Sequence, residues 1–344
     1  MVLALQWQED AQTIRLLDQT LLPVEERYLD VDTVDTLVAA IQSLAVRGAP
    51  ALGAVGALGV VVAMRQAESE GWGDERLQSE VDRIRLARPT AVNLAWGVDQ
   101  VRAAMPSGPE TVLKMAKAVV EEDEAANRTL SRLGADWILD RTGKQQVRVV
   151  THCNTGALAT SAWGTAYGII HELHDRGALE VVYVDETRPL LQGARLTSWE
   201  LTRDGIPHLL EVDGAASSTI VRGLVDVAII GADRITANGD TANKVGSLAL
   251  ALACQRAGIP FVVAAPSSTV DLATAHGDDI AIEERDAAEV LSLGGHPTAL
   301  PSTPVYNPAF DVTPHDLINA IVTDRGVVEP AARPDPNLLA SVAS

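Results

Sequence analysis

A chain of 344 residues, 47% apolar and only 3% aromatic, is long enough for two domains and must build its core from Ala, Val, Leu and Ile. Its formal net charge of −19 excludes nucleic acid and an anionic membrane surface as partners, because neutralising phosphates takes clustered Lys and Arg. The two cysteines, Cys153 and Cys254, lie too far apart in sequence to form a framework of spacings, which suits a reduced, cytoplasmic protein.

The first residues, MVLALQWQED, lack the basic start of a signal peptide. Residues 1–32 alternate polar and apolar and predict a hairpin turning near Glu9-Asp10. Helical periodicity follows over Val34–Val46, Pro50–Glu70, Asp74–Ala87, Ala91–Ala104 and Thr111–Asp140, with Pro50 and Pro89 suited to first turns. The uncharged stretch Ala49–Met64 is shorter than the ~20 residues of a bilayer crossing and reads as a buried helix, with Gly53, Gly56 and Gly59 serving close packing. Residues 1–142 are therefore expected to form a mainly helical domain with a small β-hairpin.

After Gly143-Lys144 the pattern changes. Short apolar runs at Val147–Val150, Val181–Val184, His208–Val212, Val225–Ile230 and Phe261–Ala265 alternate with helical segments such as Ala194–Arg203 and Lys244–Arg256. This rhythm predicts an α/β domain over 143–330, its parallel sheet covered on both faces. Ile282–Asp286 reads as a helix start, Thr313–Asp316 as a capping box opening a last helix, and 331–344 as an extended tail.

Open α/β sheets bind ligands outside the carboxyl ends of their strands, so the residues that follow each strand are the ones to examine. Cys153 follows the first apolar run, before the turn Asn154-Thr155-Gly156, where a thiol can meet a ligand. Cys254, within an apolar helix, reads as packing. Asp233 lies three residues past Ile230 and is a candidate acid or base. Asn243-Lys244 stand near the start of a helix, a place for an anion. Arg47, Arg88 and Arg188 each stand near a Pro, and such arginines beside helix N-termini suggest a phosphate site, with Gly48 allowing close backbone approach. Gln192 suits sugar hydroxyls. Asp185 and Glu186 read as solvated loop acids. The chain has no G-x-G-x-x-G after a strand, no phosphate-loop lysine motif and no G-x-S-x-G. His171 and His174 miss metal-protease spacing, and the seven histidines show no ligand cluster, so neither cofactor nor metal is implied.

The motifs RGAPALG, RPTAVNL, THCNTGALAT, ETRPLLQGARLT, GADRITANGDTANKVG, AAPSSTVD, IEERD and PVYNPAFDVTP, in order from residue 47 to beyond 310, closely resemble the methylthioribose-1-phosphate isomerase family. That family is grouped with ribose-1,5-bisphosphate isomerase and the regulatory subunits of translation initiation factor 2B. The resemblance implies a helical N-terminal domain, a Rossmann-like C-terminal domain, a homodimer, no cofactor, and isomerisation of 5-methylthioribose 1-phosphate in methionine salvage. By match of motif, Arg47, Gly48, Ala49, Arg88, Gln192, Asn243 and Lys244 would hold substrate, and Cys153 and Asp233 would be catalytic. The sequence departs from the family at Asp213-Gly214-Ala215-Ala216, where a Met is usual, which opens the pocket to a 5-deoxyribose 1-phosphate as well. The alternatives are another 1-phosphorylated pentose, such as ribose 1,5-bisphosphate, or a non-catalytic relative that senses a sugar phosphate or nucleotide.

Overall fold

The computed structural model describes residues 3–88, 92–332 and 338–343. The chain forms two compact units, Met1–Arg128 with Thr155–Gly164, and Thr129–Asn154 with Thr165–Ser344.

In the first unit, β1 (Leu5–Gln8) and β2 (Thr13–Leu17) form the expected hairpin, and β3 (Tyr28–Val31) adds a third antiparallel strand. The helices are α1 (Val34–Gln42), α2 (Ala49–Glu70), α3 (Asp74–Arg85), α4 (Val92–Arg102) and the first part of α5 (Pro109–Thr142). Thr33 caps α1 by accepting the Thr36 N–H, and α2 opens on Gly48 with Pro50 in its first turn. The same first-turn expectation for Pro89 falls outside the described residues. By length and composition alone α2 could cross a membrane, but 78% of its most apolar window is buried inside the protein. The glycines explain that burial. A Cβ on Gly97 of α4 would come within 1.9 Å of the Gly53 carbonyl oxygen, and one on Gly59 within 2.5 Å of Leu37 Cδ2. Small residues thus let α4 and α1 lie directly against α2, where dispersion contacts are densest.

In the second unit the elements are β4 (Val147–Thr151), α6 (Ala166–Asp175), β5 (Leu179–Asp185), α7 (Ser198–Arg203), β6 (His208–Glu211), α8 (Ala216–Val221), β7 (Val227–Ile230), β8 (Arg234–Thr236), β9 (Thr241–Lys244), α9 (Ser247–Ala257), β10 (Phe261–Ala264), β11 (Val270–Asp271), α10 (Ala288–Leu291), β12 (Ser292–Leu293), β13 (His296–Pro297), β14 (Phe310–Thr313), β15 (Ala320–Thr323) and β16 (Gly326–Val328). A seven-stranded sheet runs in the order β16-β15-β10-β7-β4-β5-β6, parallel except at the β16 edge. Successive residues of one strand point to opposite faces. Val149, Val182, Val227 and Val262 pack on one side with Ile169, Leu173 and Ile138. Val150, Ala228 and Val263 pack on the other with Ile220, Leu250 and Cys254. Cover on both faces explains why these strands read as continuous apolar runs.

From β4 the chain moves outward to β5 and β6, then returns to the opposite side of β4 with β7 and continues to β10 and β15. The strand order therefore reverses between β4 and β7.

Three expectations change. Lys244 ends a strand rather than starting a helix, because Thr241–Lys244 pairs with β8 and β14 in a second sheet, and α9 begins only at Ser247. Thr313–Asp316 opens a three-residue 3₁₀ turn, His315–Leu317, that feeds β15, since Ala320–Thr323 is buried throughout beside β10. The extended tail turns back at its end: Leu339 and Val342 are buried in the cluster that holds Ile321 and Val328, and Thr323 Oγ1 donates to the Val342 carbonyl.

Candidate active site

Strand β4 ends at Thr151, whose hydroxyl donates to the Ile229 carbonyl of β7 at 2.8 Å, so the two strand ends are pinned side by side. Cys153 lies two residues beyond Thr151, and Asp233 three beyond the end of β7. Thiol and carboxylate therefore emerge from adjacent parallel strands at their carboxyl ends, at the point where strand order reverses, which is where doubly wound sheets bind ligands. Cys153 is buried and Asp233 half-buried. Cys153 takes a left-handed backbone, φ 64°, as does Thr187, also φ 64°, just past β5. The two are bonded: the Cys153 N–H donates to Thr187 Oγ1 at 2.9 Å, and Thr197 Oγ1 donates to the Cys153 carbonyl at 2.6 Å. Such backbone costs about 1–3 kcal/mol per residue and concentrates at functional sites.

Gln192 sits in the turn after β5. Gly193 is pressed so closely against that strand that a Cβ would lie 1.7 Å from the Asp185 carbonyl oxygen. This fold-back buries Gln192, and its Oε1 has no hydrogen-bond partner among the described residues. A buried unpaired amide oxygen costs about 1–3 kcal/mol, which a ligand hydroxyl would recover. Asn243 and Lys244, both buried, lie at the end of β9. Asn243 Nδ2 donates to Ser247 Oγ, and Lys244 Nζ donates to the Ala309 carbonyl while lying 4.8 Å from the centre of the Phe310 ring.

The remaining residues expected to hold substrate belong to the first unit. Arg47, Gly48 and Ala49 form the entry to α2, all half-buried, and Arg88 follows α3, also half-buried. Gly48 has φ 94°, and a Cβ there would lie 2.3 Å from the Ala159 carbonyl oxygen. The backbone it admits in this structure is that of Ala159, whose carbonyl also accepts the Ala51 N–H.

The Initiation factor 2 subunit family model matches residues 45–330. The chain belongs to that family. Within it, methylthioribose-1-phosphate isomerase from Anaeromyxobacter sp. (strain K) is 51% identical over 315 residues, 92% of this chain and 90% of its own. A probable bifunctional methylthioribose-1-phosphate isomerase/methylthioribulose-1-phosphate dehydratase of Nocardia farcinica (strain IFM 10152) is also 51% identical, over 96% of this chain, which spans 61% of that relative's length. Two crystal structures each match with a TM-score of 0.86 at 36% identity. One is 5-methylthioribose 1-phosphate isomerase from Pyrococcus horikoshii OT3, with 99% of this chain and 94% of that one covered. The other is translation initiation factor eIF-2B, subunit delta, from A. fulgidus, with 99% and 100% covered.

Two readings of this family member's sequence need correction at the strand ends. Asp185 is not a solvated loop acid: it is 2% exposed and its Oδ2 lies 2.8 Å from His152 Nδ1. Burial raises its carboxyl pKa, against the opposing pull of His152. Arg188 turns its guanidinium onto backbone carbonyls, since Nη1 donates to that of Pro189 and Nη2 to those of Glu289 and Val290. Cys254, by contrast, is fully buried with its thiol pushed up to about 12, as a packing cysteine should be.

Sequence reasoning singles out neither His152 nor Thr187, which bond to the turns after β4 and β5. His152, Asp185 and Asp213 carry ligand-type atoms within 4.8 Å of one another. These atoms are already bonded: His152 to Asp185 within the group, and the two oxygens of Asp213 to the Thr187 and Arg188 N–H groups. A signal for His152 was present, because it too follows β4 directly, beside a strand that ends in an acid.

Proposed function

We propose that this protein is an aldose–ketose isomerase that converts 5-methylthioribose 1-phosphate to 5-methylthioribulose 1-phosphate, a step of methionine salvage. The observation that carries this reading is the emergence of Cys153 and Asp233 from neighbouring strand ends at the reversal of strand order. The relative named methylthioribose-1-phosphate isomerase, 51% identical over 92% of this chain and 90% of its own, supports the substrate.

The substrate's anomeric carbon bears phosphate, so its ring cannot open unaided. Asp233 donates a proton to the ring oxygen as the bond from that oxygen to C1 breaks. It then takes the proton of the C2 hydroxyl as C2 becomes the carbonyl. The hydrogen on C2 reaches C1 by one of two routes: as a proton, with the Cys153 thiolate as base and an enol phosphate between, or as a direct hydride shift beside a thiol that excludes water. Arg47, Gly48, Ala49, Arg88, Gln192, Asn243 and Lys244 are assigned to holding the substrate, with the arginines suited to its phosphate and Gln192 to its hydroxyls. The small residues Gly214-Ala215, where the family resemblance leads one to expect Met, suit a 5-deoxyribose 1-phosphate too.

The protein is proposed to act in the cytoplasm, where its two thiols stay reduced, and as a homodimer. The exposed Leu209, Leu210 and Val212 at the β6 edge are of the kind that association covers.

Purified protein incubated with 5-methylthioribose 1-phosphate should yield the ketose phosphate, seen by NMR. Tight binding without any ketose would instead make it a sensor, and turnover of ribose 1,5-bisphosphate alone would replace the substrate. Run in deuterium oxide, deuterium at C1 of the product rules out a purely direct shift.

A further inference from the structure

His152 immediately precedes Cys153 and is 1% exposed. Both of its ring nitrogens face acceptors: Nδ1 lies 2.8 Å from Asp185 Oδ2, and Nε2 lies 2.9 Å from the Val245 carbonyl oxygen. A carbonyl oxygen only accepts, so Nε2 carries a hydrogen. With Asp185 ionised, a neutral ring would aim the Nδ1 lone pair at a carboxylate oxygen, a repulsive arrangement at that distance. A proton on Nδ1 turns it into a charge-assisted bond. The space for this ring is reserved by Gly246, where a Cβ would lie 2.7 Å from His152 Cε1 and 2.9 Å from Nε2.

The bonds join three separate elements. Asp185 ends β5, His152 leads into the thiol turn after β4, and Val245 directly follows Asn243-Lys244 at the end of β9. We propose that His152 is a permanent imidazolium that acts as a positioning residue, fixing the Cys153 turn against the end of the strand that carries Asn243 and Lys244, and that it transfers no proton in the reaction. This rests on the reading of Cys153 and Lys244 as site residues given above.

The surroundings agree with a fixed charge. Asp185 on β5, Asp213 after β6 and Asp311 on β14 all act on the ring, and Asp311 also interacts with Lys244. Burial alone would strip the proton from His152. The Asp185 bond and charge, the charge of Asp213 and the Val245 carbonyl outweigh it, so the ring's pKa stands above its ordinary value.

Two measurements decide the proposal. In protein labelled with ¹⁵N-histidine, without substrate, one ring should show both nitrogens protonated from pH 6 to 8. It is identified as the signal lost in His152→Gln or, should that variant not fold, by replacing the six other histidines one at a time. A neutral ring at pH 7, or one that titrates within this range, overturns the proposal whatever the enzyme does. In the second measurement, His152→Gln keeps at most one of the two bonds. Its kcat should fall by about 10–100-fold, as displaced catalytic groups do, with the limbs of the pH profile unmoved. Asp185→Asn should cause a similar loss, and the double variant should lose little more than either alone. Iodoacetamide should label Cys153 several-fold faster in His152→Gln, with Cys254 as internal control. A pH limb that vanishes with His152 would make it an acid or base, and unchanged turnover and labelling would remove its positioning role. If the wild-type protein shows no isomerase activity, the proposed function fails on its own, while the ring's state and the labelling rates still test His152.

Discussion

Replacing Asp226 by Asn should weaken the fold while sparing the chemistry. Asp226 is 7% exposed, immediately before β7, and receives the Arg148 backbone N–H at 2.9 Å, the Arg148 Nε at 3.1 Å and Nη2 at 2.7 Å, and Lys144 Nζ at 2.6 Å. Burial opposes its charge, but these bonds prevail and hold the carboxyl at about 2, against an ordinary 3.8. That difference corresponds to about 2.4 kcal/mol in favour of the folded state. Lys144 is 47% exposed and Arg148 26%, so solvent screening reduces the figure to about 1–2 kcal/mol. Because the folded carboxyl titrates below the unfolded one, acid unfolding takes up a proton. The contribution is complete above pH ~4, roughly half gone near pH 3 and absent below pH 2. Denaturant unfolding of wild type and Asp226→Asn at pH 7 and pH 3 measures both effects. The variant should be about 1–2 kcal/mol less stable at pH 7, and the gap should narrow at pH 3. Asp226 stands at the amino end of β7, about 13 Å of strand from the carboxyl end that leads to Asp233, so kcat/KM should stay within about twofold. A gap below ~0.5 kcal/mol at pH 7, or one that widens in acid, would refute the reasoning.

Cys153→Ala and Asp233→Asn should each lower kcat by about 10²–10⁴ with unfolding midpoints near wild type, and near-normal turnover in either would remove that residue from the mechanism. Gln192→Leu should raise KM about tenfold by losing a hydrogen bond to substrate, while stability holds or rises by up to ~1 kcal/mol because the orphaned amide oxygen is gone. A stability loss with unchanged KM would make Gln192 structural. Gly48→Ala should cost about 2–4 kcal/mol, since it combines a φ of 94° with a Cβ 2.3 Å from a carbonyl oxygen. An unchanged melting temperature would contradict that packing.

The fold was legible where one local rule governs a segment. The period of the apolar residues gave the helices of the first unit, and continuous β-branched runs gave β4, β5, β7 and β10. The row Gly53, Gly56, Gly59 is legible as packing, because small residues at helical spacing leave one face open to a close neighbour. Failures occurred where pairing between distant segments overrides local pattern. Thr241–Lys244 is polar and looks like the approach to a helix, yet it is a buried strand because β8 and β14 supply its hydrogen bonds. Ala320–Thr323 is too short to be distinguished from a helix by its own residues, and its place beside β10 decides it. Leu339 and Val342 follow a Pro- and Ala-rich stretch that suggests a tail, but they fill an apolar surface that only the assembled sheet creates.

By itself the sequence determined the chemistry on offer: a thiol and an acid placed after apolar strands, arginines near Pro, and an acidic surface unsuited to polyanions. These follow from residue type and from distance along the chain. Which of those groups point at a ligand was decided by the tertiary structure. Strand order set the strands that precede Cys153 and Asp233 side by side, the crossover turns buried Asp185 against His152, and three carbonyl groups accept hydrogen bonds from the Arg188 guanidinium. The physical reason is that a polar side chain leaves water only where the fold gives it a partner, and that partner is chosen by segments far away in sequence.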